Sequence, residues 1–239
     1  MAEGTSPRLA GRIAVITGAS RGIGAAVAKR FATEGAHLVL LARTVGGLEE
    51  VDDEIQRAGA EAATLVPMDL RDGDQIDRLG AALYERFKRV DILVGNAGAL
   101  GTLSPLPHVS PKDWEEVIAV NVTANWRLIR SLDPLLRQSD AGRAIFVTSG
   151  LGRMPIAYWG PYATSKASLE MLVRIYAAEV SKTKIRVNLL DPGIVRTAMR
   201  AKAFPGENPM SLKPPEAITD RFVELAEAVC TLNGERVQA

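Results

Sequence analysis

Cysteine and histidine are scarce in this chain. With one cysteine, Cys230, no intramolecular disulfide can form, and with two histidines, His37 and His108, the ligands of a zinc or other metal cluster are missing. The same shortage removes a hydrolase: Gly18-Ala19-Ser20-Arg21-Gly22 spells the G-x-S-x-G of a nucleophile elbow, but no histidine follows His108 to serve as its base. Aromatic residues make up 5%, too few for a stacking platform, and the net charge of +1 comes without a block of like charge. Neither nucleic acid nor an acidic membrane is expected as a partner. No apolar run approaches the ~20 residues of a membrane span, and Met1 to Gly11 lacks the apolar stretch of a signal peptide. A cytoplasmic protein is expected. Repeats, low-complexity segments and linkers are also missing, which favours one domain over residues 12–239 behind an extension at 1–11.

What is present is a regular alternation. Short apolar runs at Arg12–Thr17, His37–Ala42, Ala62–Met68, Asp91–Gly95, Arg143–Thr148 and Ile185–Leu190 alternate with helical stretches, among them Asp74–Arg89, Pro111–Leu136 and Pro161–Ser181. Strands that are apolar throughout are buried on both faces, so the pattern predicts an α/β fold: a doubly wound parallel sheet with helices on both sides. Such sheets bind ligands beyond the carboxyl ends of their strands.

The stretch from Arg143 to Lys182 carries the chemistry. Tyr162 and Lys166, four apart on one helix, share a face, and an ammonium beside a phenol is expected to lower the tyrosine pKa toward that of a working acid/base. Ser149, at the end of the preceding strand, is placed to reach the same point. Spacing is not sufficient, because Tyr84-x-x-x-Lys88 repeats it; Arg71 stands thirteen residues before Tyr84 where Ser149 stands before Tyr162, and the second pair reads as structural. After the first strand comes Thr17-Gly18-Ala19-Ser20-Arg21-Gly22-Ile23-Gly24, whose glycines let a ligand approach the backbone N–H groups of the next helix. Arg21 opposes that helix dipole unless an anion arrives there, and Arg43, past the second strand, stands where an acidic residue would otherwise accept from a ribose 2′-OH.

Together, the glycine turn and the Ser149, Tyr162 and Lys166 set resemble the classical short-chain dehydrogenase/reductase family, from Arg12 to about Val237. Asn96-Ala97-Gly98 resembles its sheet-stabilising motif, with Gly95 in place of the first of two asparagines, and Asp191-Pro192-Gly193-Ile194-Val195-Arg196-Thr197 its Pro-Gly segment. The resemblance implies a Rossmann-type domain with a catalytic tetrad of Asn121, Ser149, Tyr162 and Lys166. Tyr162 exchanges the proton, Ser149 orients the substrate oxygen, Lys166 tunes the phenol and holds the ribose, and Asn121 positions a water that links Lys166 to solvent.

The implied cofactor is NADP(H). It is held by Gly18, Ser20, Arg21, Gly22, Ile23 and Gly24 of the first turn, by Arg43, by Asp69 and Leu70 after the third strand, and by Asn96, Ala97 and Gly98 after the fourth. Tyr162, Lys166, Pro192, Gly193, Ile194 and Thr197 complete the set. The expected activity is reduction of a ketone or aldehyde, with an acyl thioester, a small carbonyl, and a polyol or steroid all open as substrates; the alternative is a catalytically silent dinucleotide-binding regulator. A mobile lid is expected near 197–215, with Arg153, Met154 and Trp159 on the opposite wall. Small residues Ala163, Ala167 and Ser168 suit pairing of the long helices in a homodimer or homotetramer. Two departures carry expectations of their own: Gly95 loosens the sheet locally, and the chain ends with almost no seventh strand.

Overall fold

The computed structural model describes residues 7–239. Seven parallel strands form one sheet: β1 (Ile13–Thr17), β2 (His37–Ala42), β3 (Thr64–Pro67), β4 (Ile92–Gly95), β5 (Arg143–Val147), β6 (Arg186–Asp191) and β7 (Arg236–Gln238), in the order β3-β2-β1-β4-β5-β6-β7. Eight helices connect and cover them: α1 (Gly22–Thr33), α2 (Val45–Arg57), α3 (Gly73–Phe87), α4 (Pro111–Ile118), α5 (Ala124–Leu136), α6 (Gly160–Glu179), α7 (Ala198–Ala203) and α8 (Thr219–Ala226). The doubly wound sheet expected from the apolar runs is thus the fold.

Alternate residues of each strand feed two cores. Ile16, Leu40, Ile145 and Leu190 pack under α1, α2 and α8 with Phe31, Leu48 and Phe222. Val15, Leu41, Phe146 and Leu189 pack under α3, α5 and α6 with Leu83, Leu128 and Leu169. The strand order reverses between β1 and β4, and the turns after β1, β4, β5 and β6 share the carboxyl edge, where a crevice opens. Of the extension placed at 1–11, the described part is packed down: Leu9 is buried and its N–H donates to Glu34 O at 2.9 Å.

Three expectations are corrected. The helix read as continuous over Pro111–Leu136 is interrupted by a π-helical turn at Ala119–Thr123, which holds Asn121. Gly95 does not loosen the sheet. A Cβ there would lie 2.4 Å from Phe146 Cδ1 and 2.6 Å from Asn125 Oδ1, so neighbouring side chains already fill the space of the missing one. The seventh strand is present, short as it is, pairing Leu189 with Arg236 and Leu190 with Val237. Buried Arg143 leads the chain to it, donating to the carbonyls of Glu227 (3.0 Å), Ala228 (2.6 Å) and Cys230 (2.9 Å). These three contacts run from one guanidinium to main-chain carbonyls and leave no apolar pattern, so nothing periodic in the sequence announced this strand.

Candidate active site

The glycine turn is built around a threonine hydroxyl. Thr17 Oγ1 donates to Val94 O at 3.3 Å and accepts from the N–H groups of Asn96 and Ala97, each at 3.0 Å, tying the end of β1 to the end of β4. Asn96 Nδ2 returns to Thr17 O at 2.9 Å. Gly18 and Gly22 have φ of +65° and +58°, and a Cβ on Gly24 would meet Gly18 O at 2.2 Å, so the turn tolerates only glycine there. Side chains cap α3 through Asp72, α4 through Ser110 and α7 through Thr197, whereas α1 and α2 start without a side-chain cap or an acid in the first turn. Their free N–H groups and positive dipole ends face the crevice.

Arg21 and Arg43 are exposed and have no acidic ion-pair partner among the described residues. Asp69 instead pairs with Arg71 at 2.6 Å, which with the Arg71 N–H holds its carboxyl below the ordinary range against the cost of burial. Leu70 follows it on the same edge. A Cβ on Gly22 would lie 3.6 Å from Thr197 Cγ2, so the Asp191–Thr197 segment closes the crevice from the other side, with Pro192, Gly193 and Ile194 between. Uncapped helix starts, glycines where a Cβ would fill the cradle, and unpaired arginines fit the two phosphates and the 2′-phosphate of a dinucleotide.

The second half of the crevice holds the titratable groups. The π-helical turn aims Asn121 inward, where it is fully buried: Nδ2 donates to Ala99 O (2.9 Å) and Ser165 Oγ (2.8 Å), and Oδ1 accepts from Ala99 N–H at 2.7 Å. The amide is therefore engaged in holding the loop after β4 against α6. Lys166 is buried and donates from Nζ to Val147 O at 2.8 Å. A Cβ on Gly98 would lie 3.5 Å from Asn121 Oδ1 and 3.8 Å from Lys166 Nζ, which brings Gly98, Asn121 and Lys166 to one point. Ser149, two residues beyond the end of β5, accepts from Leu151 N–H at 3.3 Å and places its hydroxyl near the Tyr162 phenol.

The electrostatics differ from the expected. Burial pushes the Tyr162 phenol up to about 12, with the Ser149 hydrogen bond acting in the opposite sense and Asp191 adding to the rise. Burial also brings Lys166 down to about 8. The ammonium does not depress the phenol because it is turned to Val147 O, with Nζ 5.7 Å from the centre of the Tyr162 ring, and both groups lie in a poorly solvated interior.

The mouth is apolar. Trp159 stands edge-on to Tyr162 with ring centres 5.9 Å apart and lies 5.8 Å from Phe204, whose other face carries the Arg200 guanidinium at 3.7 Å. The segment at 197–215, read as too rich in proline for one helix, folds as α7 followed by tight turns, and Arg200 is closed onto Glu207 at 2.6 Å. Met154, Ile156, Tyr158, Ile194 and Met210 are all exposed around it. Tyr158 has φ of +75°, a strained conformation for tyrosine, and its carbonyl accepts from Ser104 N–H at 3.1 Å. Arg153 does not join this wall; it turns beneath it to Glu170 at 2.9 Å.

Sequence reading placed Thr17 in the glycine turn without a role of its own, and missed Glu170, Phe204 and Arg236. Glu170 had a signal: it lies four residues beyond Lys166, an acid on the face of α6 that must be buried.

The profile of the short chain dehydrogenase family matches residues 12–208. An oxidoreductase of Escherichia coli K12, YciK, described as uncharacterized, is 38% identical over 90% of this chain and 85% of its own length. A short chain dehydrogenase of Pseudomonas syringae superposes with a TM-score of 0.95 at 37% identity, over 98% of this chain and 96% of that one. Another, from Escherichia coli CFT073 and solved in complex with NADPH, has a TM-score of 0.94 at 35% identity over 98% of both chains.

Proposed function

The chain belongs to the short-chain dehydrogenase/reductase family of oxidoreductases, and on that premise we propose that it is an NADP(H)-dependent reductase of a ketone or aldehyde with Tyr162 as the proton donor. The observation that carries this reading is the convergence at one strand edge of the Ser149 hydroxyl, the Tyr162 phenol and the Lys166 ammonium, beside a turn that only glycine can form. When bound, the cofactor supplies the hydride that passes to the carbonyl carbon.

The residues of the chain do the rest. Ser149 donates to the carbonyl oxygen and orients it. A phenol held near 12 is fully protonated at neutral pH yet a stronger acid than the alcohol being made, so it keeps its proton until the alkoxide develops and then gives it up. Lys166, still mostly charged at pH 7, can hold a ribose hydroxyl. This protonation pattern favours reduction. Arg21 and Arg43 favour the 2′-phosphate, and an NADPH complex in a close structural relative supports that choice.

The exposed apolar rim of Met154, Ile156, Tyr158 and Phe204 favours a carbonyl carried on an apolar body over a polyol. We place the reaction in the cytoplasm; among the described residues no helix is long and apolar enough to cross a membrane. A groove of about 420 Å³ between α5 and α6, lined by Trp126, Ile129, Leu172 and Ile175, together with exposed Ala167, Ser168 and Met171, supports assembly of at least a homodimer through these helices.

A panel of carbonyls followed by loss of NADPH absorbance tests the activity, with Tyr162→Phe as the blank. Turnover lost in that variant with NADPH binding retained supports the reading; an unaffected variant would point to a dinucleotide-binding regulator. Arg43→Asp is expected to weaken NADPH by roughly tenfold or more and NADH little, since a charge-assisted contact is removed. Faster turnover with NADH than with NADPH in the parent protein would overturn the cofactor assignment.

A further inference from the structure

Two carboxylates lie buried behind the reacting groups. Glu170 is one helical turn beyond Lys166 and almost fully enclosed; it accepts from Thr148 Oγ1 at 2.9 Å, Arg153 Nε at 2.9 Å and Arg236 Nε at 3.1 Å, with Arg174 Nη2 at 3.5 Å. Asp191 ends β6; Oδ1 accepts from Gly193 N–H at 3.0 Å and Oδ2 pairs with Arg236 Nη2 at 2.5 Å. One guanidinium on the three-residue strand β7 therefore spans both acids. Thr148 immediately precedes Ser149, and Asp191 immediately precedes the Pro192-Gly193 turn, so this fork ties together the two strand ends that flank Tyr162.

We propose that Arg236 is a positioning residue of the active site, which neutralises Asp191 and Glu170 and thereby keeps the Tyr162 phenol able to release its proton. The inference rests on the reading of Tyr162 as the acid/base and deepens it. Lys166, on the same helix as the phenol, is turned away to Val147 O, and the charged group that bears on the phenol is Asp191 at the end of β6. Behind them stand Arg236 on β7 and Glu170 on α6, and Arg153 and Arg174 close on Glu170. Of the two nearer charges, Asp191 opposes formation of the phenolate, and its field is what the Arg236 guanidinium offsets. A buried carboxylate stripped of its cation exerts a stronger field, because little solvent remains to screen it. Reaching both acids, the Arg236 side chain adds to the three-residue ladder that holds the end of the chain in register.

The test follows the phenol directly. The protein has four tyrosines, so a chain labelled with ¹³Cζ-tyrosine gives a spectrum in which Tyr162→Phe identifies the resonance. Titrated with saturating NADP⁺, Asp191→Asn is expected to lower the Tyr162 transition by about one pH unit, and Arg236→Gln to leave the phenol protonated through the pH range in which the parent titrates. Arg236→Lys, which keeps the charge, should stay within half that distance of the parent, and the Arg236→Gln/Asp191→Asn double variant should return toward it. A purely structural Arg236 would lower the melting temperature and leave the transition where it was; an unmoved transition in Arg236→Gln and in Asp191→Asn overturns the proposal. Should Arg236→Gln fail to fold, Asp191→Asn and the double variant still decide. Failure of NADP⁺ to bind, or turnover that survives Tyr162→Phe, counts against the acid/base reading itself and is seen separately.

Discussion

The chain contains the same tyrosine–lysine spacing twice, and the two copies have nothing else in common. At the end of α3, Tyr84 is half exposed and Lys88 terminates the helix in the left-handed conformation, φ +66°, with Nζ 5.1 Å above the Tyr84 ring. At the start of α6, Lys166 is buried, and its Nζ is farther from the Tyr162 ring, at 5.7 Å. By proximity alone the surface pair is the better one. What separates them is the surroundings. Water screens Tyr84 and Lys88, while the pair on α6 sits where strand ends deliver a serine hydroxyl, a main-chain carbonyl and a buried carboxylate within reach. A low-dielectric site makes each of those groups count several-fold more than it would at the surface.

The largest expected contrast is in turnover. Tyr162→Phe removes the proposed general acid and should lower the rate by about 10³-fold, within the usual worth of general acid catalysis, while NADPH still binds. Tyr84→Phe should change it less than about twofold, since an exposed phenol contributes little. Comparable losses in the two variants would erase the distinction drawn here.

The buried lysine sharpens the contrast through its effect on stability. Lys166 is held near 8, below the ordinary value of a lysine, so its charge is a cost to the folded state. At pH 7 both folded and unfolded chains carry the proton and the whole cost is felt; between pH 8 and the unfolded value the unfolded chain binds more protons, and stability rises with pH. Lys166→Met should therefore abolish turnover yet raise stability at pH 7 by about 2 kcal/mol, after allowing for the lost bond to Val147 O. That advantage should fade as pH climbs above 8. Urea titrations at pH 7 and pH 10 measure it, and a gap that widens with pH would contradict the sign.

The central strands and the reactive trio were legible because their causes are local. A run such as His37–Ala42 with no polar residue after its first has only one stable place, inside a sheet covered on both sides. The break at Asn121 was hidden, since its neighbours Val117 and Leu128 continue a helical apolar face through it; only an amide on the buried side hinted that the backbone turns there to reach Ala99 and Ser165. Spacing put Tyr162 and Lys166 on one face but could not say where Nζ points, and that direction decides whether the phenol falls or rises. Gly95 and β7 were misjudged for a shared reason: the groups that compensate them, Phe146 and Asn125 in one case and Arg143, Glu170 and Asp191 in the other, are remote in sequence.

The smallest effect concerns the surface pair alone. Lys88 occupies a position whose positive φ costs a residue with a Cβ about 1 kcal/mol, the reason glycine is favoured just past helix ends. Lys88→Gly relieves that strain but forfeits the cation–π contact with Tyr84 and lets the unfolded chain explore more conformations. The three contributions nearly cancel, so the urea midpoint should move by the equivalent of less than about 0.5 kcal/mol at constant slope, with turnover unchanged. A loss of activity here would mean that the α3 pair reaches the site after all.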